Sequence, residues 1–427
     1  MSTSPPIIIL PSGETAAIGV PRGSAYDALL TTALCAILCF AILAFGAVEE
    51  CSLLVLEIAS VMLFAGWAAQ QMFKGELDLS PNQIYWPMIG FAVVVGSQIV
   101  LRLSAYAYET EIQAMRFVSY AMLLFVASQV LRAPQEQRRF LRFMAVFGIG
   151  LAAFMLMQFF GGNGRIYWLR QPRFGGVPFG PYVNHNHYAG AIEMLAPMPL
   201  LMSLSRGYGY GQRMLLAFGG ALMVTSLFIS GSLGGMLALV MELVFLATLL
   251  SIKESAKKNL LMGAGFLVVV LPLLLWLGED AISARFKGVQ SSTHEQVTGH
   301  REVILRDGLL MFRDRPWLGW GLGTFPVVYP KYRSFYSNLV VNQAHNDYLQ
   351  LLDETGVLGF AMVLWFLAVL YICGIRLSVD GSRAQMAALV GCTGIVVHSF
   401  SDFNLEIPAN AALFFVLCGI ATMRSDP

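Results

Sequence analysis

Charged side chains are scarce in this chain of 427 residues. Asp, Glu, Lys and Arg together make up 12% of the sequence, whereas soluble domains carry about 25%. Acidic and basic residues also nearly cancel, which leaves a formal net charge of +1. The shortage excludes an ordinary soluble domain, and the balance provides no electrostatic basis for binding a polyanion such as nucleic acid.

Cysteine is sparse as well, and no two cysteines have the C-x-x-C spacing of a metal or redox site. The six cysteines lie inside or at the ends of apolar runs, which predicts small buried hydrophobic side chains rather than a disulfide framework. The amino-terminal residues 1–26 lack a basic stretch followed by a cleavage site, so we predict a disordered tail rather than a cleavable signal.

Long apolar runs are what the sequence has in abundance. Hydrophobic residues make up 57% of it, and its mean hydropathy is +0.66. A helix of about 20 apolar residues crosses the hydrocarbon core of a bilayer and satisfies its own backbone there. We therefore predict an all-α fold, a polytopic membrane helix bundle with about 12 transmembrane helices. The predicted spans lie near residues 27–47, 51–73, 84–103, 112–131, 143–161, 187–204, 214–231, 235–252, 259–278, 350–375, 384–402 and 408–423.

An even number of spans places both termini on one side of the membrane, and the Lys and Arg residues indicate which side. Fourteen of them lie on the side of the termini and thirteen on the other, but eight of the thirteen belong to the long segment 279–349. Loops beyond roughly 60 residues do not follow the positive-inside rule. Without that segment, fourteen Lys and Arg residues lie on the side of the termini and five on the other side. This difference predicts cytoplasmic termini and a long loop that faces outward, into the periplasm. The predicted organisation is a tail at 1–26, spans one to nine within 27–278, the large loop at 279–349, and spans ten to twelve with a short cytoplasmic tail at 350–427.

The long outer loop contains an amphipathic pattern at residues 300–325, "HREVILRDGLLMFRDRPWLGWGLGTF". Apolar residues recur at helical spacing on one face, and charged residues occupy the other. Pro316 ends this pattern, and three glycines with two tryptophans then predict a turn-rich segment at the membrane interface. The apolar face comprises Ile304, Leu305, Gly308, Met311 and Phe312, and the charged face Glu302, Arg306, Asp307, Arg313 and Asp314.

A polar segment, "QAHNDYLQLLDETG", leads from this loop directly into a predicted span. His345 falls at or just before the first turn of that helix, at the outer membrane surface, where a neutral imidazole could accept a proton from a sugar hydroxyl. The alternative interpretation is a polar helix start that Asn342 or Asn346 caps, with His345 merely hydrated. The spacing does not decide between the two interpretations.

Four segments in order resemble the O-antigen ligase and O-antigen polymerase superfamily over roughly residues 140–420. "AHNDYLQLLDETGVLGF" (344–360) resembles its His-Asn-x-x-Leu-x-x-x-x-Glu-x-Gly signature, and "GPYVNHNHYAGAIEMLAPM" (180–198) is similar to its Asn-x-Asn-x-x-Ala segment. "GHREVILRDGLLMFRDRPWLGWGLGTF" (299–325) resembles its Arg…Pro-x-x-Gly-x-Gly-x-x-Phe loop, and "HSFSDFNLEIPANAALFF" (398–415) its closing His…Asp…Pro segment.

The resemblance implies a GT-C-like fold and a glycosyltransferase in the inner membrane that acts on the periplasmic face. It implies an undecaprenyl-diphosphate-linked glycan as donor and, as acceptor, either lipid A-core (a ligase) or a growing glycan (a polymerase). His345 is the implied acceptor-activating base, and Arg301 the implied diphosphate contact. The further candidate substrate-binding residues are Arg173, His185, Asn186, His187, Asn346, Glu354, His398 and Asp402. For residues 185–187 the alternative is hydrogen bonding at the membrane interface, and for His398 and Asp402, one helical turn apart, a buried pair that steadies the bundle is the favoured interpretation.

The reaction needs no cofactor, and the outer loops lack an Asp-x-Asp or His-rich metal motif, so we expect a metal-independent enzyme. Glu49 and Glu50, on the first outer loop, are the alternative metal ligands or base, although a solvated turn is the favoured interpretation. Where many relatives carry an arginine in a Ser-Arg-Gly-Gly segment, this chain has Leu233. Arg173, with Arg165 and Arg170 beside it, is the candidate replacement.

Two other classes of protein share a hydrophobic profile of this kind. A flippase or other polysaccharide transporter predicts charges distributed through the spans and an internal repeat, and this sequence has few mid-span charges and no clear repeat. A non-catalytic scaffold protein would not need the motifs that cluster on the outer face, so this class is less favoured. The sequence does not separate ligase from polymerase.

Overall fold

A computed structural model of the chain describes residues 25–75, 77–171, 178–205, 207–253, 301–336 and 340–426, together with two short strands near the amino terminus. The strands, Ile7–Ile9 and Thr15–Ala17, pair antiparallel within the segment predicted as a disordered tail. All other regular structure in these residues is helical. The α-helices are α1 (Ala25–Leu43), α2 (Glu50–Lys74), α3 (Tyr85–Val100), α4 (Ala107–Val130), α5 (Pro134–Phe160), α6 (His185–Leu195), α7 (Pro197–Ser203), α8 (Tyr210–Ser230), α9 (Leu233–Lys253), α10 (Arg301–Asp314), α11 (Phe325–Val328), α12 (Asp347–Asp380), α13 (Arg383–His398) and α14 (Pro408–Thr422), with 3-10 turns at Phe45–Ala47, Tyr329–Lys331 and Asn404–Glu406.

Helices occupy eleven of the twelve predicted span positions. The remaining position, the ninth in chain order at 259–278, lies outside the described residues. Six helices in the described part of the chain are long and apolar enough to cross a membrane. The protein is therefore a multi-pass membrane protein with an all-helical bundle, and the total of twelve spans remains a prediction. The predicted span 187–204 is two helices, because Pro197 and Pro199 cannot donate backbone hydrogen bonds to continue α6.

The helix α13 lies at the centre of the bundle. It packs against α6, α7, α9, α12 and α14, and thirteen of its sixteen residues are buried. Small residues permit this close approach: a Cβ on Gly391 would lie 2.6 Å from the backbone oxygen of Met194 in α6. Such contacts drive helix association in lipid, where burial of apolar surface contributes little.

All six cysteines are free thiols, as the sequence predicts. Cys35, Cys392 and Cys418 are buried, whereas Cys51 is exposed on α2. The prediction of a buried side chain is therefore wrong for Cys51, because the apolar run that contains it has one face outside the bundle.

The predicted amphipathic helix of the outer loop is α10, and it ends at Asp314, before Pro316. Its buried residues include Ile304, Gly308 and Met311, as the apolar face requires. The assignment of Asp307 to the solvated face is wrong. Asp307 is 1% exposed, and its Oδ2 accepts hydrogen bonds from the Ser334 amide at 2.9 Å and from the Tyr329 hydroxyl at 3.2 Å. The aromatic segment after α10 folds back over the helix and supplies these donors.

The glycine-rich turn after α10 is attached to a break in α12. Gly319, Gly321 and Gly323 all have positive φ angles, of 66°, 113° and 79°. Backbone hydrogen bonds join Trp320 N to Asp353 O (3.0 Å) and Gly321 N to Glu354 O (2.9 Å). These carbonyls are available because α12 is interrupted immediately afterwards, at Gly356, where φ is +63°.

Candidate active site at the start of α12

His345 lies in the left-handed region of backbone space, with φ +53°, immediately before α12. The next residue, Asn346, caps the helix: its Oδ1 accepts the amide hydrogen of Leu349 at 2.9 Å. The predicted Asn346 cap is therefore confirmed. Non-glycine residues rarely adopt positive φ, although Asn, Asp and His do so more often than others. The imidazole that this backbone carries lies beside Asp402 and Phe403.

The turn between α13 and α14, residues 399–407, is held against the start of α12. Asp347 N donates to Ser399 O at 3.0 Å, and Asn346 Nδ2 donates to Phe400 O at 3.0 Å. The Ser399 hydroxyl in turn donates to Asp347 Oδ2 at 2.7 Å. We call residues 399–407 the closing turn, because it brings the last predicted motif of the chain to His345.

Asp402 of the closing turn faces His345. Nδ1 of His345 lies 3.5 Å from Asp402 Oδ1, and the two side chains are 17% and 2% exposed. Burial alone raises the pKa of the Asp402 carboxyl, but the close approach of His345 and the charges of the nearby imidazoles outweigh burial and hold its pKa below its ordinary value. An ionised carboxylate at this position orients the imidazole and stabilises its protonated form. The Nε2 atom is thereby left to act on a substrate.

Asn186 and Phe403 complete the surroundings of Asp402. Nδ2 of Asn186, from the first turn of α6, donates to Asp402 Oδ2. The amide of Phe403 donates to Asp402 Oδ1 at 2.9 Å. The Phe403 ring stands edge-on between two imidazoles, with centroid separations of 4.9 Å to His345 and 4.8 Å to His187. The ring therefore fixes the spacing of both imidazoles.

Arg301 approaches the closing turn from the start of α10. Its Nη1 donates to the backbone oxygen of Ser401 at 3.1 Å. Its Nε is buried and has no hydrogen-bond partner among the described residues. Arg301 and His345 therefore contact consecutive residues of one turn, so that a cation and an imidazole come together from distant parts of the sequence.

His398 belongs to a neighbouring buried cluster and does not pair with Asp402 through its side chain. Its Nδ1 lies 2.9 Å from Glu193 Oε1 and 3.2 Å from Oε2, and both residues are fully enclosed by the bundle. Glu242 of α9 is buried against Gly394, which lies one helical turn before His398 on the same face of α13, and neither of its oxygens has a hydrogen-bond partner in the described residues. We refer to Glu193, Glu242 and His398 as the buried polar cluster.

Glu354 is placed apart from the site. It is 1% exposed, and its two oxygens accept the amide hydrogens of Gly323 (2.7 Å) and Phe325 (3.1 Å). The predicted substrate contact is therefore incompatible with this arrangement, because both oxygens already bind the backbone of the glycine-rich turn. His185 is buried at the first position of α6, and Arg173 lies outside the described residues.

The position of the absent family arginine adjoins the site. Leu233, the first residue of α9, is 69% exposed. A Cβ on the next residue, Gly234, would lie 2.4 Å from the Ser401 hydroxyl, so the first turn of α9 touches the closing turn. Of the proposed replacements, Arg170 forms an ion pair with Glu49 and stacks on Phe45. Glu49 therefore has a cationic partner here.

Phe403 and Ser401 were missed in the sequence, because they lie in an irregular turn where no periodicity assigns a face. Glu193 stands out only as a charge within a predicted span, which is the signal that could have indicated it. Within the described ranges, no group of three or more His, Cys, Asp or Glu side chains is placed to hold a metal ion.

A comparison with protein-family models finds one match, to the family described as O-antigen ligase, at residues 218–364. The matched region includes α9, α10, the glycine-rich turn, His345 and the first half of α12. No curated protein matches the chain. The similarity to the O-antigen ligase and polymerase superfamily, first indicated by four short motifs, is thus confirmed over residues 218–364.

Proposed function

We propose that the protein is a glycosyltransferase of the bacterial inner membrane that transfers a glycan from undecaprenyl diphosphate to a sugar hydroxyl at the periplasmic face. The single observation that carries this proposal is the approach of His345 Nδ1 to Asp402 Oδ1, at 3.5 Å, beside the Arg301 contact to Ser401. A general base, its orienting carboxylate and a cation are the groups that such a transfer requires.

In the proposed reaction, His345 Nε2 accepts the proton of the acceptor hydroxyl. The hydroxyl oxygen attacks the anomeric carbon of the donor, and the bond from that carbon to the diphosphate oxygen breaks. The electron pair leaves with the lipid diphosphate. Asp402 stabilises the imidazolium that results, and no metal ion enters the scheme.

Arg301 is proposed to neutralise the leaving diphosphate. A guanidinium binds phosphate oxygens with two parallel N–H donors and keeps its charge at any physiological pH. Since Nη1 is held by the closing turn and Nε is buried, Nη2 is the nitrogen proposed to contact the diphosphate. Asn186 and His187 line the other side of Asp402 and are proposed acceptor contacts. Arg173 remains a proposed second cation, and His398 is proposed to support the site through the buried polar cluster.

The decisive variant is His345→Asn. Asparagine tolerates the positive φ of this position and keeps a polar side chain, but it is not a base. The assay uses purified protein in proteoliposomes. Undecaprenyl-diphosphate glycan is the donor, and the acceptor is lipid A-core in one reaction and a second glycan in the other. We expect His345→Asn to lower the rate of glycan coupling by roughly 100-fold or more. The reaction that the native protein completes separates ligase from polymerase.

Arg301→Ala and Arg306→Ala form a matched pair on α10. Arg306 is exposed and makes no hydrogen bond to the closing turn in the described residues, so its removal should leave coupling near the native rate, whereas Arg301→Ala should reduce it strongly. Full coupling by His345→Asn would contradict the proposed chemistry. Normal movement of donor across the membrane without any coupling by the native protein would indicate a transporter.

A further inference from the structure

A partly open cavity of about 190 Å³ lies between α3, α4, α12 and α14. Most of its wall is hydrocarbon and aromatic, and polar groups are confined to one end. None of these lining groups takes part in the proposed chemistry. The apolar wall includes Met88, Phe91, Phe117, Met362, Phe366 and Phe415.

The cavity runs along α12 from its first turns to its middle. Its lining on that helix extends from Asp347 and Glu354 to Phe366 and Leu367. Ten residues separate Phe366 from the break at Gly356, which at 1.5 Å per residue is roughly 15 Å. Half of a hydrocarbon core of about 30 Å is a similar distance. The cavity thus has the depth of one leaflet.

Arg116 of α4 marks the polar end. Its Nε is buried and has no hydrogen-bond partner in the described part of the chain, although a buried guanidinium normally has one. Glu57 and Glu406 lie near enough for their charges to interact with it. The other carboxylates of this end are turned to the protein, since Asp347 accepts from Ser399 and Leu405. Arg116 Nε therefore lacks an acceptor at the head of an apolar channel, and a lipid phosphate supplies both that acceptor and a hydrocarbon chain for the channel.

The polar end adjoins the active site. Asp347 lines the cavity and follows His345 by two residues. Leu405 and Glu406 line it as well and belong to the closing turn that carries Asp402. A chain occupying the cavity would emerge beside the imidazole rather than elsewhere on the bundle.

We infer that this cavity binds the hydrocarbon chain of a lipid phosphate, with Arg116 contacting the phosphate. The inference rests on the proposed function for the identity of the lipid, a polyprenyl phosphate, but not for the existence of the site. Glu406 opposes binding, since its carboxylate adds negative charge beside the phosphate.

The test measures the affinity of purified full-length protein in detergent for undecaprenyl phosphate and for phosphatidylglycerol by native mass spectrometry. Arg116→Gln should weaken undecaprenyl phosphate binding by about tenfold, because charge-assisted hydrogen bonds are lost. Glu406→Gln should tighten it. Arg102→Gln, which removes an exposed arginine of the α3–α4 turn, should change nothing.

A second pair of variants examines the channel. Val363 lines the cavity, and Val363→Phe should fill it and weaken binding; Val93→Phe, on the exposed face of α3, should not. A preference for undecaprenyl phosphate assigns the cavity to the donor chain, whereas equal loss of both lipids assigns it to membrane phospholipid. Unchanged affinity of both lipids for Arg116→Gln and Val363→Phe overturns the inference. If His345→Asn still loses coupling in that case, the proposed function stands without it.

Discussion

The imidazole of His345 depends on its neighbours for both its orientation and its chemistry. Its backbone has φ +53°, a conformation that costs of order 1–3 kcal/mol and persists only where surrounding contacts impose it. Those contacts are the Asn346 cap and the bonds from the closing turn to Asp347. Strain of this kind concentrates at functional sites, so the backbone and the side-chain geometry indicate the same residue.

Asp402→Asn tests the carboxylate without changing its shape. We expect the maximum coupling rate to fall by roughly tenfold or more, with donor affinity near the native value, because no anion stabilises the imidazolium that forms during transfer. The lowered pKa of native Asp402 keeps it ionised between about pH 5 and 8. Its contribution to folding is therefore present above about pH 4 and is lost as pH falls further.

Two observations would contradict this role for Asp402. One is a loss of donor affinity with an unchanged maximum rate. The other is an equal effect in Asp314→Asn, a change at an exposed residue of α10 whose carboxylate accepts from Tyr332. Protein abundance measured in parallel separates catalysis from folding.

Individual site residues were predictable where a motif carried them, and their partners were not. His345, Arg301 and Asp402 come from separate segments, and only the closing turn brings them together. Glu354 belongs to the same motif as His345, yet it binds Gly323 and Phe325. A sequence motif therefore does not show which of its residues act on the substrate and which stabilise the fold.

At the scale of helices, the break in α12 determines how the outer loop is attached. Gly356 has φ +63°, and a Cβ there would lie 2.4 Å from the backbone carbon and oxygen of Trp317. Val357 N and Leu358 N donate to Pro316 O and Trp317 O at 2.8 and 3.2 Å. The glycine thus permits one continuous apolar run to bind the glycine-rich turn at its upper end.

Gly356→Ala should destabilise the protein by about 2 kcal/mol or more, since the methyl group both strains the backbone and collides with Trp317. The measurement is the thermal unfolding midpoint of detergent-purified protein. Gly96→Ala in α3 is the matched control: no atom lies within 4 Å of its added Cβ, so it should be neutral or stabilising by up to about 1 kcal/mol. Equal midpoints for the two variants would refute the steric argument.

Hydropathy located these helices well and their interruptions poorly. A span is predicted from the hydropathy of about twenty residues together, so a single atypical residue changes the prediction little. The positions of α1 to α5 therefore follow from the sequence. The break at Gly356 depends on a single residue whose conformation is set by Trp317, and Asp307 is buried by donors some twenty residues later. Such tertiary contacts have no local signature.

For the whole molecule, the predicted orientation places α10 and His345 outside and the start of α5 inside. In a background without native cysteines, Lys331→Cys should react with an impermeant thiol reagent in cells whose outer membrane has been permeabilised. Gln135→Cys should react only after lysis. Both residues are exposed, so access depends on the side of the membrane alone. The reverse pattern would place the active site in the cytoplasm.

The buried polar cluster has a consequence for how the chain is made. Glu193 and Glu242 enter the bilayer with α6 and α9, but His398 follows Glu193 by 205 residues. A carboxylate left facing lipid costs about 2.5–3.5 kcal/mol by insertion scales. We therefore expect these two helices to lie against other protein during translation until α13 is synthesised and supplies His398.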